Sequence, residues 1–458
     1  MQVTLTDSTA IECEDEPFSA GADGAAYWSR DKRQLVKLYH RPDPAREQIL
    51  KEIVGRFNAV RGEPYWEGFF AWPLGVVTAP RLGVVLPRAH GKPLNRFVTP
   101  RWLKYHPEDV GTFQGRLGVA SGLARAVRRL HFKGLCHSDL SENNVFADAQ
   151  TGAMTVIDCD SLVVPGRARA IVLGTPGNLA PELLIGAVRE PSVETEKHAL
   201  AVLIYRTLLV RHPLDGRKVH DRDPDRDEHL RMGERALFIE HPTDPSNRPE
   251  KMSFSCDTLG PAVKRLIYRA FVDGLHQPEK RPQPSDWERD LHNLSDTLVN
   301  CSNGNCVWKQ FPLVDATAKA AKVRCPWCNS PLRGDAFPML RWAAPSAGQA
   351  GVYRPDGLRK VIRNDGTLHE WDLRSATVPG PRFRTEPLAS FQAVRDRNGH
   401  LRWVLLNQNL PCLQVADPQG PWVRIRSNEA VELKENRTLC FGIPGQDRVA
   451  LVELVKPT

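Results

Sequence analysis

The chain has 458 residues, of which 41% are hydrophobic and 25% charged, a composition that excludes a disordered or fibrous protein and suggests about three globular domains. Its longest strongly apolar run, residues 199–205, is too short to span a bilayer, and residues 1–7 carry neither the basic region nor the apolar core of a signal peptide. A cytoplasmic protein with no membrane partner is therefore expected, its ten Cys serving as thiols or metal ligands rather than disulfides. The excess behind the net charge of +8 lies in residues 297–458, with 22 basic and 14 acidic side chains. Because those charges are scattered rather than striped, they argue for a solvated surface over a nucleic-acid interface.

Residues 11–90 read as short strands with one helix. Gly21 and Gly24 stand three apart, followed by small residues, a loop that lets backbone N–H groups approach phosphates. A plain hairpin turn is the alternative. The stretch 34–39, Gln-Leu-Val-Lys-Leu-Tyr, puts Lys37 inside an apolar strand, where its charge needs an anionic partner. The alternative is an edge-strand Lys that guards against aggregation. A helix is expected over residues 46–60, with Ile49, Ile53 and Phe57 at helical spacing and Glu47 and Glu52 along it. Two strands, 69–77 and 82–87, should follow.

A long helix is expected over residues 113–132, with Leu117, Ala120, Leu123, Ala124, Val127 and Leu130 as its apolar stripe and Gly134 to end it. Residues 137–146 then read His-Ser-Asp-Leu-Ser-Glu-Asn-Asn-Val-Phe, and residues 156–161 read Val-Ile-Asp-Cys-Asp-Ser. Asp139 and Asn144 are followed by Asp158 at the end of an apolar run. One carboxylate can take a hydroxyl proton, while an amide and a second carboxylate offer Mg²⁺ the hard oxygens it prefers. Residues 196–209 are apolar almost all round, as in a buried helix. Residues 215–235 form a mixed-charge run expected to be a solvated insert. Ser285 and Glu288 suggest a capping box opening a last helix.

These strings resemble the catalytic loop, metal-binding Asp and Lys-bearing strand of protein kinases. Residues 174–182, Gly-Thr-Pro-Gly-Asn-Leu-Ala-Pro-Glu, resemble the end of the kinase activation segment, and Arg281 stands where kinases pair an Arg with the Glu, here Glu182. The loop string is also similar to RIO-type and small-molecule kinases, but those lack the Ala-Pro-Glu element. The resemblance implies an α+β, bilobal protein kinase-like fold over residues 1–296, with the smaller lobe at about 1–90 and the larger at about 91–296, and ATP and Mg²⁺ as cofactors. Asp139 would be the base. Lys37 would contact phosphates, with Glu52 favoured over Glu47 as its partner, and Asn144 and Asp158 would hold Mg²⁺. Gly21 and Gly24 would cover the phosphates, and residues Pro87 to Ala89 would offer backbone groups to adenine. Ser138 replaces the Arg that grips a phosphorylated activation segment, and residues 162–174 contain no Ser, Thr or Tyr. No phosphate switch is expected there. Ser141 replaces a Lys, and Cys159-Asp160 replaces Phe-Gly.

Cys301, Cys306, Cys325 and Cys328 form two short-spaced pairs that suit a structural, four-thiolate Zn²⁺ in a ribbon over residues 297–338, with redox dithiols and disulfides as the alternatives. Residues 339–458 alternate in short runs between turn residues, suggesting a small all-β sandwich or barrel. Trp371, Trp403 and Trp422 are expected in its core. The order kinase, zinc ribbon, β domain resembles bacterial kinases of the TerY-phosphorylation triad linked to tellurite resistance. That resemblance implies a protein substrate, a von Willebrand factor A-domain partner and a cognate protein phosphatase. The reading is a Ser/Thr protein kinase; the alternative is a pseudokinase scaffold that binds nucleotide and partners.

Overall fold

The computed structural model describes all residues except 22, 42, 165–173, 253, 315–322, 347–350, 375, 376, 384 and 458. The chain divides into two compact units, Met1–Cys256 with Lys264–Glu288, and Asp257–Val263 with Arg289–Thr458. Among the described residues, no helix is long and apolar enough to cross a membrane.

The first unit opens with a seven-stranded antiparallel sheet in the order Ala10–Glu12, Gln2–Leu5, Gly75–Ala79, Gly83–Pro87, Gln34–Tyr39, Gly24–Trp28, Ser19–Ala20. Gln34–Tyr39 is an inner strand, with Lys37 opposite both Ala26 and Val84, so Lys37 does not guard an edge. The period of two along a strand sorts its side chains. Val36 and Leu38 join Val3, Tyr27 and Val77 in one apolar cluster. Tyr39 joins Leu50, Val76, Val84 and Leu86 in another, and Leu50 brings in the helix Pro44–Val54. Lys37 therefore leaves the strand on the side of that helix. Asp43 caps the helix by accepting from the Ala45 N–H at 2.9 Å. It stops at Gly55, short of the expected residue 60, because the Asn58 carboxamide oxygen draws the Val60 and Arg61 N–H groups into a turn at 2.9 and 2.8 Å. Phe57 lies beyond it. The first of the two following strands is also shorter than expected, starting at Gly75 after the buried Phe70, Ala71 and Trp72.

The rest of the unit is largely helical. Phe113–Phe132 matches the expected span, its stripe fully buried and its end turned by Gly134 at φ 74°. Close packing also governs its other face. A Cβ on Gly115 would stand 1.9 Å from the Ala149 carbonyl oxygen. The apolar helix Val193–Leu209 is buried along nearly its whole length and starts on a Ser192–Thr195 capping box. The mixed-charge run holds a short helix, Pro224–Met232, with Met232 as its buried residue. The last helix begins at Pro284, one residue before the expected cap. Asp286 accepts from the Gln283 N–H at 3.2 Å, and Glu288 instead turns inward to take Arg125 and Arg128 at 2.8 and 2.6 Å.

The second unit carries a small antiparallel pair, Leu298–Asn300 with Gln310–Pro312, and two larger antiparallel sheets among the described residues. One runs Tyr353–Val361, Phe337–Pro345, Val449–Val455, Thr438–Cys440, Leu413–Ala416, Val423–Ile425; the other runs Thr367–Leu368, Ala389–Arg395, Leu401–Asn407, Ala430–Glu432. Leu340, Trp342 and Val452 of the first share a buried cluster with Phe391, Leu405 and Val431 of the second, the arrangement of a sandwich. Trp403 packs against this cluster, but Trp422 is 37% exposed and outside it. Cys306 and Cys325 lie in a further cluster with Val299, Phe311, Met339 and Val361. The four-Cys segment thus draws its core partly from the sheet that follows it.

Candidate active site

The loop bearing Asp139 is fixed from both ends. Cys136–His137 pairs with Leu162–Val163, and Val145–Ala147 with Met154–Val156. The His137 N–H donates to Glu196 at 2.9 Å, its Nδ1 accepts from the Asp139 N–H at 3.2 Å, and its Nε2 lies 2.9 Å from the Ile157 carbonyl. His137 therefore ties the loop to the residue preceding Asp158. Glu142 adds a second tie, accepting from Arg206 at 2.6 Å and Asn178 at 2.7 Å.

Both oxygens of the Asp139 carboxylate are held. Oδ2 accepts from Asn144 Nδ2 at 2.9 Å and Oδ1 from the Thr175 hydroxyl at 2.6 Å. Asn144 Nδ2 also reaches the Asp139 carbonyl at 2.8 Å, which leaves the Asn144 Oδ1 as a hard oxygen for a cation. The Ile157 N–H donates to the Asn144 carbonyl at 2.9 Å, joining this pair to the Asp158 segment. Asp158 itself adopts φ 60°, ψ 32°, a left-handed conformation that Asp tolerates better than most residues. Burial pushes its carboxyl up, but the Lys37 ammonium more than offsets this and holds it below the usual range.

Lys37 Nζ donates to Asp158 Oδ1 at 2.9 Å and to Asp160 Oδ2 at 2.8 Å. Burial works against its charge, yet the carboxylates of Asp160 and then Asp158 keep the ammonium above its usual range. Asp160 also accepts from the Tyr39 hydroxyl at 2.6 Å. Glu52, the expected partner, is not joined to Lys37; its carboxylate accepts from Gln48 at 3.3 Å along its own helix. Glu47 pairs with Lys51 at 2.7 Å. The reason is geometric: the inward positions of that helix are Leu50 and Ile53, and Asp160 already occupies the face of the strand that Lys37 shares with Tyr39.

The glycine turn is a hairpin in which the Gly21 N–H donates to the Gly24 carbonyl at 2.9 Å. Gly24 is required by close approach, since a Cβ there would stand 2.5 Å from the Leu38 carbonyl oxygen, while Gly21 faces open space. Pro87 ends its strand opposite Gln34, with Ala89 two residues on. Ser138 donates to the Ser161 carbonyl at 3.0 Å. Ser141 is fully buried with no partner for its hydroxyl among the described residues, so it does not take the place of a cationic side chain at the cleft. Most of the stretch expected to lack a phosphate switch, residues 165–173, lies outside the described residues. Beyond it, Arg281 grips Glu182 through two bonds of 2.7 and 2.8 Å.

In the second unit the ligand atoms of Cys301, Cys306, Cys325 and Cys328 all lie within 4.8 Å of one another. The Cys301–Cys328 and Cys306–Cys325 sulfurs are 3.5 and 3.8 Å apart. Four thiolates about 2.3 Å from a tetrahedral Zn²⁺ would stand about 3.8 Å from each other, so the residues fit that ion. Burial opposes ionisation of Cys328, but hydrogen bonding to Ser330 brings its thiol down to about 6.

Asp160, Tyr39, Glu142 and Asn178 escaped sequence reasoning as members of the site. The signal for Asp160 was its charge where the kinase pattern has Gly, next to a Cys that is buried. No family model matches the chain. It is similar to the serine/threonine-protein kinase pkn2 of Myxococcus xanthus, 29% identical over 194 residues, which are 37% of this chain and 22% of that protein. It is also similar to the atypical protein kinase C of Drosophila melanogaster, 33% identical over 129 residues (26% of this chain, 20% of that protein). The protein kinase C zeta type of Oryctolagus cuniculus is 30% identical over 162 residues (35% and 25%). The chain thus spans about a fifth to a quarter of the length of these relatives. It is a distant relative of Ser/Thr protein kinases over part of its length, and its N-terminal sheet followed by a helical region is consistent with a kinase fold.

Proposed function

We propose that the chain is a serine/threonine protein kinase that transfers the γ-phosphate of Mg-ATP to a protein hydroxyl. The observation that supports it most is the bonded set Thr175–Asp139–Asn144 next to Asp158–Lys37, a proton acceptor beside metal-binding oxygens and a cation. Asp139 accepts the proton of the substrate hydroxyl and orients its oxygen toward the phosphorus. Asn144 Oδ1 and Asp158 hold Mg²⁺, which when bound neutralises charge on the phosphates. Lys37 contacts the phosphates, the turn of Gly21 and Gly24 covers them, and the backbone from Pro87 to Ala89 meets adenine. Cys301, Cys306, Cys325 and Cys328 hold a structural Zn²⁺ with no open position for chemistry. The zinc and β modules serve partner binding. The resemblance to TerY-triad kinases makes a von Willebrand factor A-domain protein the substrate to try first, with a protein phosphatase as antagonist.

The second reading, a nucleotide-binding scaffold, is favoured by one observation: Lys37 is tied to two carboxylates, where a phosphate-gripping Lys needs only one. Transfer of labelled γ-phosphate to the chain and to candidate proteins decides between them. Wild type should transfer, and Asp139→Asn and Asp158→Ala should each lose at least about a hundredfold. Measurable ATP binding without transfer by wild type would refute the kinase and leave the scaffold.

A further inference from the structure

The partner of Lys37 lies on an unexpected element. Asp158 in its left-handed conformation leads into a short 3₁₀ turn, Cys159–Ser161. Cys159 is fully buried there, with Sγ 3.6 Å from the Val156 carbonyl. The turn brings the carboxylates of both Asp158 and Asp160 onto one ammonium. The two carboxylates differ in setting. The Asp158 side chain is 31% exposed and the Asp160 side chain 2%. Asp160 Oδ2 is shared between Lys37 and the Tyr39 hydroxyl, while its Oδ1 is buried with no hydrogen-bond partner among the described residues. A buried carboxylate oxygen left unpaired is costly, so its neighbours do not explain Asp160 as a mere filler of space. Tyr39 in turn lies under the Arg46 guanidinium, 4.3 Å from its ring, and Arg46 pairs with Asp23 of the glycine turn at 2.8 Å.

We infer that Asp160 is the positioning residue for Lys37, a carboxylate carried by the metal-binding segment itself that does the work a helix glutamate would do. For its catalytic consequence the inference rests on the phosphotransfer reading. Were Asp158 engaged with a cation, the exposed carboxylate would leave Lys37 and the buried one would stay. Lys37 would then keep its place and turn its remaining N–H groups toward the phosphates. Its alignment follows the Asp158–Asp160 turn, and among the described residues the helix Pro44–Val54 is linked to it through Arg46, which lies over the Tyr39 ring. In kinases whose Lys is held from the helix, moving the helix breaks the pair. Here a shift of Glu52 does not release Lys37.

The test reads Lys37 directly in the full chain, without turnover. Each variant is acetylated with limiting acetic anhydride, and the rate at Lys37 is measured by mass spectrometry against the exposed Lys456. Asp160→Asn should raise the Lys37 rate by about tenfold, the worth of one charge-assisted hydrogen bond, while Glu52→Gln should change it by less than about twofold. A rise for Asp160→Asn no larger than that for Glu52→Gln would overturn the inference. Should Asp160→Asn fail to fold, Glu52→Gln decides alone: release of Lys37 refutes it and protection supports it. Phosphate transfer is assayed in parallel. Failure of wild type to transfer counts against the kinase reading, whereas the labelling still judges Asp160. With an active wild type, Asp160→Asn should lower kcat by at least about tenfold with a smaller change in KM for ATP.

Discussion

Replacing Glu182 by Gln should strongly destabilise the first unit. The Arg281 side chain has no exposure, and its guanidinium makes two bonds to Glu182 at 2.7 and 2.8 Å. Its remaining partners are the carbonyls of Gly274, Glu194 and Leu275, at 2.8, 3.0 and 3.1 Å. Three carbonyls satisfy hydrogens but supply no opposite charge. A carboxamide in place of the carboxylate would keep at best one of the two bonds, so the Arg281 charge would stay buried and unpaired. Breaking a buried pair from one side costs about 3–5 kcal/mol. At a urea slope of about 2–3 kcal/mol per molar, the midpoint of the first transition should fall by at least about 1 M. The order of variants tests the reasoning more sharply than the size. Arg281→Met leaves Glu182 with 12% of its side chain exposed and able to draw in water, so it should cost less than Glu182→Gln. The double variant Glu182→Gln with Arg281→Met should recover part of the loss, because the stranded charge is gone. Urea denaturation followed by tryptophan fluorescence measures all three. If Glu182→Gln proves no worse than Arg281→Met, or the double variant is additive, the buried-charge account fails.

Three further outcomes are expected. The purified chain should hold about one Zn²⁺, measured by elemental analysis, and stripping it with a chelator or Cys325→Ser should lower the melting temperature of the second unit. An unchanged melt would show that the shared apolar cluster of Val299, Phe311, Met339 and Val361 suffices without metal. Burial depresses His212 to about 4 and His198 well below its usual range, so each binds its proton more readily once unfolded. Stability should be complete above about pH 6.5 and decline as pH falls toward 4, by about 1.4 kcal/mol per pH unit for each residue. Urea midpoints at pH 7 and pH 5 check this, and His198→Leu should flatten the dependence; an unchanged slope in that variant would remove His198 from the account. Finally, Gly115→Ala sets a methyl 1.9 Å from the Ala149 carbonyl oxygen and should cost about 1–3 kcal/mol or more, with equal stability in the same urea titration as the contrary result.

What a sequence shows well is what neighbours along the chain decide. The spacing of Asp139, Asn144 and Asp158 was legible because a loop of fixed length between two short strands sets it, and the helix Phe113–Phe132 was legible from its stripe and its closing Gly134. The pair Glu182–Arg281 was also expected, though only through the resemblance to kinases, since 99 residues separate its partners. The boundaries missed were those where a local competitor won. Asn58 turned the chain out of its helix, and Pro284 opened the last helix one residue before its expected cap. Glu288 satisfied a capping pattern, yet two arginines of the long helix paired with it more strongly than an exposed backbone N–H could. Trp422 belongs in a core by residue type, but the strand after it sits at the sheet margin and buries nothing on that side.

The reading of the site as a carboxylate base with an amide and a carboxylate for a cation rests on the order of residues within about two dozen positions. Which carboxylate holds Lys37 does not. Glu52 and Asp160 both offer one, and the resemblance to kinases favours the helix. The choice fell to the fold. An inner strand pointed Lys37 and Tyr39 to the same face, and a left-handed turn at Asp158 delivered Asp160 to them from 123 and 121 residues away. An ion pair depends on where two charges meet in space and on how little water reaches them, and only the tertiary structure decides either.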